Sequence, residues 1–190
     1  MSALMEHPRQ HRITADEYYR MWERNLFAPD ARTELIDGVI IDMAPIGNPH
    51  MATVDRLHEM LVMQLRGAAI VRSQGSVRLG DYSVPQPDIT LLKPREDFYK
   101  SHTATPQDVF LVIEVSDSTL RFDLDVKAPL YAKHGIPELW VIDVQGRRAH
   151  FFRGLEGKAY RQVSKSVAPS AARIEALPEA AVDLSFLKRF

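Results

Sequence analysis

Apolar positions recur at helical spacing early in the chain, then switch to the alternation and continuous runs of strands. Thr14 and Glu17 form a T-x-x-E capping box. It predicts a helix over TADEYYRMWERN with Tyr18, Met21 and Trp22 on one face. Pro29 and Asp30 interrupt the pattern. ELIDGVIIDM then reads as a hairpin turning at Asp37-Gly38. After the loop APIGNPH, the segment MATVDRLHEMLVMQLRG predicts an amphipathic helix. Val54, Leu57, Leu61 and Leu65 form its apolar stripe, and Gly67 marks its end.

From there the period is that of strands. AAIVRSQGSVRL predicts one or two, and Pro85 and Pro87 bracket the entry to another, DITLL. KPREDFYKSHTATPQ is a polar connection long enough to be mobile or to cover a site. VFLVIEV has the pattern of the most buried strand. A helix is expected within LRFDLDVKAPLYAKHG, ending near Gly135, followed by the strand ELWVIDV and a turn at Gln145-Gly146. RRAHFFRG and AYRQVSKSV alternate like the arms of a hairpin, whereas RIEALPEAAVDLSFLKRF fits more than one type of element. The prediction is an α/β fold, a central mixed sheet flanked by helices, in one domain over 1–190 with 1–12 as a flexible arm. Its centre is a strand–helix–strand unit over about 109–144, and a crossover helix requires those two strands to be parallel.

Composition narrows the function. The chain has 190 residues, 45% of them hydrophobic, enough for a real core. Its formal charge of -1 gives no overall basic footprint, so a nucleic-acid enzyme would have to concentrate its positive residues locally. The absence of cysteine excludes disulfides and thiolate metal sites and fits a reducing, cytoplasmic compartment. No signal-peptide pattern and no membrane-spanning apolar run is present, so a soluble protein is expected.

Three acids stand where acids are unusual. Glu114 interrupts VFLVIEV, Asp88 opens DITLL directly after Pro87, and Glu34 opens ELIDG. Each has an ordinary explanation: an edge strand with a wet face for Glu114, a turn residue for Asp88. Yet a strand followed by a crossover helix is expected to be central, and buried carboxylates are rare unless paired or bound to a cation. Two carboxylates about 4 Å apart repel by about 4 kcal/mol at an effective dielectric of 20. A divalent ion relieves that, and oxygen ligands favour magnesium or manganese over zinc. A lysine also would. Lys127 is near in sequence, although Asp123, one helical turn earlier, offers it a simple surface pair.

The order of these residues resembles the PD-(D/E)xK nuclease superfamily. ELIDGVIIDMAP, HMATVDRLHEML, PQPDITLL, VFLVIEVSDST and DLDVKAPLYAKHGIPELWVID occur in the order of the Uma2 family of restriction-endonuclease-like proteins. The resemblance implies a restriction-endonuclease-like core, with Glu34, Asp88 and Glu114 gathered around one or two magnesium (or manganese) ions. The superfamily lysine two residues after the strand acid is here Ser116, and Lys127 matches the lysine that Uma2-like sequences supply from the following helix. Asp88 and Glu114 are the implied metal ligands, the carbonyl of Val115, between Glu114 and Ser116, is expected as an extra one, and Glu34, Asp88, Glu114 and Lys127 are the implied catalytic set. The activity implied is hydrolysis of a phosphodiester, in DNA, by a cytoplasmic enzyme expected to be a homodimer because a duplex has two strands to cut. Pro129 just after Lys127 requires the helix to start late or to kink there.

His50 is a further candidate for touching phosphate, and Gln74 for lining the site. Tyr131 and Trp140 are expected to pack the core, and His102 and His134 to be loop and helix-end residues. Two other functions fit the same residues. One is a nuclease-fold relative that binds DNA or protein without cutting. The other is an assembly module in which strands such as RRAHFFRG pair with a second copy.

Overall fold

The computed structural model describes residues 10–189. Of the expected arm, residues 1–9 lie outside that range. Arg12 stacks on the Tyr82 ring at 4.1 Å, and the amide of Ile13 donates to the Gly38 carbonyl.

The element order is α1 (Ala15–Glu23), β1 (Thr33–Ile36), β2 (Val39–Asp42), α2 (Asn48–Leu65), β3 (Ile70–Ser73), β4 (Ile89–Leu92) and β5 (Val109–Ser116). After β5 come α3 (Leu120–Phe122), a π-helical turn (Asp123–Lys127) and α4 (Ala128–Lys133). Then come β6 (Leu139–Asp143), β7 (Arg148–Glu156), β8 (Ala159–Val167), β9 (Ala172–Ile174), β10 (Leu177–Val182) and a 3-10 turn (Ser185–Arg189).

β3-β4-β5-β6-β7-β8 form one six-stranded sheet, in which β5 and β6 are parallel and every other neighbouring pair is antiparallel. β1–β2 and β9–β10 are separate hairpins. The mixed α/β class and the parallel pair match the expectation from the pattern. The capping box forms as written, with Thr14 and Glu17 exchanging side-chain and backbone bonds. Asp37 and Gly38 both take positive φ, the geometry a two-residue hairpin turn needs.

Alternation along β5 builds two cores. Leu111, Ile113 and Val115 face α2 and the β9–β10 hairpin, joined by Trp140 and Ile142 of β6. Val112 faces the other way, with Leu139, Val141 and the α4 residues Ala128, Leu130 and Tyr131. A third, smaller cluster packs Ala15 and Tyr18 of α1 on Leu35 and Val84. β5 is thus central, and Glu114, on the Val112 face, is 2% exposed. The edge-strand explanation of Glu114 does not hold.

Two further expectations change. Of the two outcomes expected from Pro129, a late start or a kink, the crossover helix does not start late. It opens into the π-turn, in which the Ala128 amide bonds five residues back to the Asp123 carbonyl. Pro129 cannot donate an amide bond to Asp125, so the wide turn falls where a regular helix would lose its bond. The strand RRAHFFRG is interior, flanked by β6 and β8. The edge strand on that side of the sheet is β8, and it is exposed. Among the described residues, no helix is long and apolar enough to cross a membrane.

Candidate active site

Glu114 and Val115 lie near the C-terminal end of β5, and Asp88 immediately precedes β4, its antiparallel neighbour. The Asp88 carboxylate extends the ladder past the end of β4: its Oδ2 accepts the Val115 amide at 2.8 Å. Its Oδ1 lies 2.8 Å from His50 Nε2, in the first turn of α2. Asp88 is therefore more than a turn residue; it fastens β5 and α2 together at the mouth of the site.

The crossover helix supplies the other wall. Lys127 is 1% exposed and donates to Glu34 Oε1 at 2.9 Å and Glu114 Oε1 at 3.1 Å. Tyr131, one turn on, donates its hydroxyl to the same Glu114 oxygen at 2.6 Å. Asp123, one turn before, is buried too, and its Oδ2 accepts from Ser116 and Thr119, each at 2.7 Å. An α-helix drifts by about 40° between residues four apart. The wider π-turn between Asp123 and Lys127 counters that drift. Asp123, Lys127 and Tyr131 consequently all reach β5 or the turn after it. The expected Asp123–Lys127 surface pair does not form; each bonds elsewhere, and both are buried.

Glu34 comes from β1, fully buried. Its Oε1 accepts the Gln86 amide at 2.7 Å as well as Lys127, which ties the β1 hairpin to the loop leading into Asp88. Its Oε2 is buried with no hydrogen-bond partner among the described residues.

Between these walls is a cavity of about 60 Å³ lined by Asp88, Glu114, Val115, Asp123, Lys127 and His50, with Arg32 and Asp117 further out. It has room for a few waters or an ion with its ligands. Glu34 does not line it and reaches the site through Lys127.

Charge is out of balance here. Glu34, Asp88, Glu114 and Asp123 surround a single lysine. Burial pushes the Glu114 carboxyl well above its ordinary range; Lys127 opposes this, and Asp123, Asp88 and Glu34 add to it. The Lys127 ammonium is held protonated against its own burial by Glu114, Glu34 and Asp123. Burial, then Glu114, keeps the Tyr131 phenol protonated.

The residues suit a divalent cation by their donor chemistry. Among the described residues no three His, Asp or Glu side chains converge on one point. The set is two carboxylates, Asp88 and Glu114, and the Val115 carbonyl, which lies on the same side of the strand as the amide held by Asp88. Magnesium is commonly held by one or two carboxylates, with water and substrate phosphate completing the shell. The hydrogen bonds to Glu114 and to Asp123 fall on one oxygen of each, so the other oxygen of each has no partner among the described residues.

The sequence reading placed Glu34, Asp88, Glu114, Lys127 and His50 near one another without their contacts, and the structure brings all five together. Gln74 does not line the cavity; its amide bonds to the Asp88 carbonyl. Tyr131 is buried in the core as expected, but its hydroxyl donates to Glu114. His102 pairs with Asp108, remote from the cavity, and His134 ends α4. Trp140 packs the core, donating to Glu138. The polar connection after β4 contributes no residue to the cavity wall. Asp123, Ser116 and Thr119 were missed. A signal was available: Asp123, Lys127 and Tyr131 recur every fourth residue, a polar row on a crossover helix.

The chain spans 92% of its length in similarity to a solved structure, described as a putative nuclease of DUF820 from Anabaena variabilis. The TM-score is 0.69 and the identity 18%, with 97% of that chain covered, a likeness of fold. No curated protein matches the chain. The model of the Uma2 family, described as "putative restriction endonuclease", matches residues 15–185, and the chain belongs to that family.

Proposed function

We propose that the protein is a magnesium- or manganese-dependent endonuclease that hydrolyses phosphodiester bonds, in DNA, in the cytoplasm. The observation that carries this reading is the meeting of Asp88, Glu114 and Lys127 at one small, acid-rich cavity at the end of the central strands. Asp88, Glu114 and the Val115 carbonyl would hold the ion. A cation bound there supplies Lewis acidity and lowers the pKa of a coordinated water.

The chain's own residues do the rest. Lys127 has three N–H groups and bonds two carboxylates, leaving one without a partner among the described residues for a phosphate oxygen. Glu34 and Tyr131 act through others: Glu34 anchors Lys127, and Tyr131 occupies the Glu114 oxygen that Lys127 shares. His50 holds Asp88 in place and stands at the cavity wall, where a phosphate would pass. Cutting both strands of a duplex needs two sites or two events, which a homodimer would supply.

Purified protein is expected to nick or linearise plasmid DNA with magnesium or manganese and to lose that activity with chelator. Asp88→Ala and Glu114→Ala should each lower the rate by at least about a hundredfold, the scale of a lost electrostatic contribution to the transition state. Cleavage that survives in both variants would refute the assignment.

A further inference from the structure

We infer that the β7–β8 hairpin is a nucleic-acid backbone-binding surface contiguous with the candidate active site. The inference rests on the nuclease reading and adds where the phosphates flanking the cleaved bond are held. In a chain of formal charge -1, positive residues must be concentrated somewhere if a polyanion is to bind. They are concentrated here. Residues 147–165 carry Arg147, Arg148, Arg153, Lys158, Arg161 and Lys165 against Glu156 alone, with His150 in addition.

The register ties this segment to the site. Glu114 is paired with Val141, Val141 with His150, and His150 with Lys165. The next row runs from Ser116 through Asp143 and Arg148 to Val167. Side chains at paired positions share a face of the sheet. Strands lie about 4.8 Å apart, so Lys165 is roughly 14 Å along a straight row from Glu114. The row therefore leads from the acid of the cavity to a cation on the open edge.

The cations differ in how they are used. Arg153 points to the opposite face, where Glu138 takes it. Arg161 pairs with Glu156, and Arg148 lies 3.6 Å from Asp143. Arg147, Lys158 and Lys165 form no salt bridge among the described residues and stand exposed. Apart from Tyr160, β8 is exposed throughout.

Charged residues also guard free sheet edges against self-pairing. That role needs charge of either sign on the edge strand alone. Here one sign prevails, and it extends to Arg147 in the turn before β7 and to Arg148 at the start of β7, an inner strand. The same cations oppose pairing of β8 with β8 of a second copy. Charge complementarity favours the backbone of a nucleic acid.

The test is equilibrium binding of a short labelled duplex DNA in chelator, where no cutting occurs, across a range of salt. The triple variant Arg147→Gln, Lys158→Gln, Lys165→Gln is compared with Arg20→Gln, Arg24→Gln, Lys100→Gln, which removes the same charge from exposed positions outside the hairpin. The hairpin variant should bind at least about tenfold more weakly at moderate salt. Its salt dependence should be shallower by about 1 to 3 in log–log slope, as expected for one to three lost phosphate contacts. Unchanged melting temperatures confirm that both variants fold. Wild-type-like binding by the hairpin variant, an equal loss in the remote variant, or no binding by the wild type overturns the proposal. So does preference for anionic lipid vesicles over DNA. Binding that needs the hairpin in a protein that never cleaves would leave this surface standing and remove the nuclease reading. Cleavage with hairpin-independent binding would do the reverse.

Discussion

Two clusters of buried carboxylate sit on neighbouring strands, and they are built on opposite terms. Glu138, just before β6, is fully buried. Its Oε1 accepts from Trp140 Nε1 at 2.6 Å and Arg153 Nε at 2.7 Å, and its Oε2 accepts the Glu175 amide at 2.8 Å. Every lone-pair direction that matters has a donor, and one acid meets one cation. It fastens β6, β7 and the β9 turn together. On the other face of the sheet, four acids gather around a single lysine that bonds only two of them, one Glu34 oxygen has no partner among the described residues, and burial leaves Glu114 biased toward its protonated form. Burial of an acid is thus no mark of function by itself. What separates the two is whether the surrounding groups already satisfy it.

The comparison breaks most visibly when each cation is removed. Lys127→Met strands Glu34 and Glu114 without their only ammonium and should cost about 3–5 kcal/mol in urea unfolding at pH 8 in chelator. Part of that should return at pH 5, where Glu114, whose carboxyl burial already biases toward the protonated form, can take a proton. Arg153→Met should cost about 3 kcal/mol, toward the low end because the arginine is partly exposed. It should spare metal-dependent behaviour altogether. Equal losses with equal pH dependence would erase the distinction.

A smaller effect sharpens it. Glu114 has a folded-state pKa above its ordinary 4.5. The folded state therefore binds the proton more tightly than the unfolded one. Its contribution to stability is complete below about pH 4.5 and is lost as pH rises toward the folded value. In chelator, the wild type should lose stability relative to Glu114→Gln as pH rises above about 4.5. A flat difference between the two proteins would show that Glu114 titrates normally.

The sequence made some of this plain and hid the rest for physical reasons. β5 and its crossover were legible because a long apolar run has one natural place, the middle of a sheet. The T-x-x-E and Asp-Gly signals are local and were realised locally. Asp88, Glu114 and Glu34 stood out because they contradict the pattern around them. The π-turn could not be read: Pro129 announced an irregularity, but whether the helix would start late, kink or widen depends on what Asp123 and Lys127 meet across the interface. Glu138 went unremarked for a related reason. It precedes its strand as an unexceptional loop acid, and its partner Arg153 lies two strands' length further along the chain. The edge strand was misplaced because RRAHFFRG and AYRQVSKSV alternate alike, and only the order of the sheet tells which is covered.

The most direct test of the contrast is the thermal shift produced by manganese, measured on wild type, Asp88→Asn, Glu114→Gln and Arg153→Met. Manganese should raise the melting temperature of the wild type and of Arg153→Met by similar amounts, because the ion relieves the acid surplus beside Lys127 and nothing at Glu138. It should leave Asp88→Asn and Glu114→Gln nearly unmoved. A shift that persists in those two variants, or none in the wild type, would contradict the claim that Asp88 and Glu114 form a cation site.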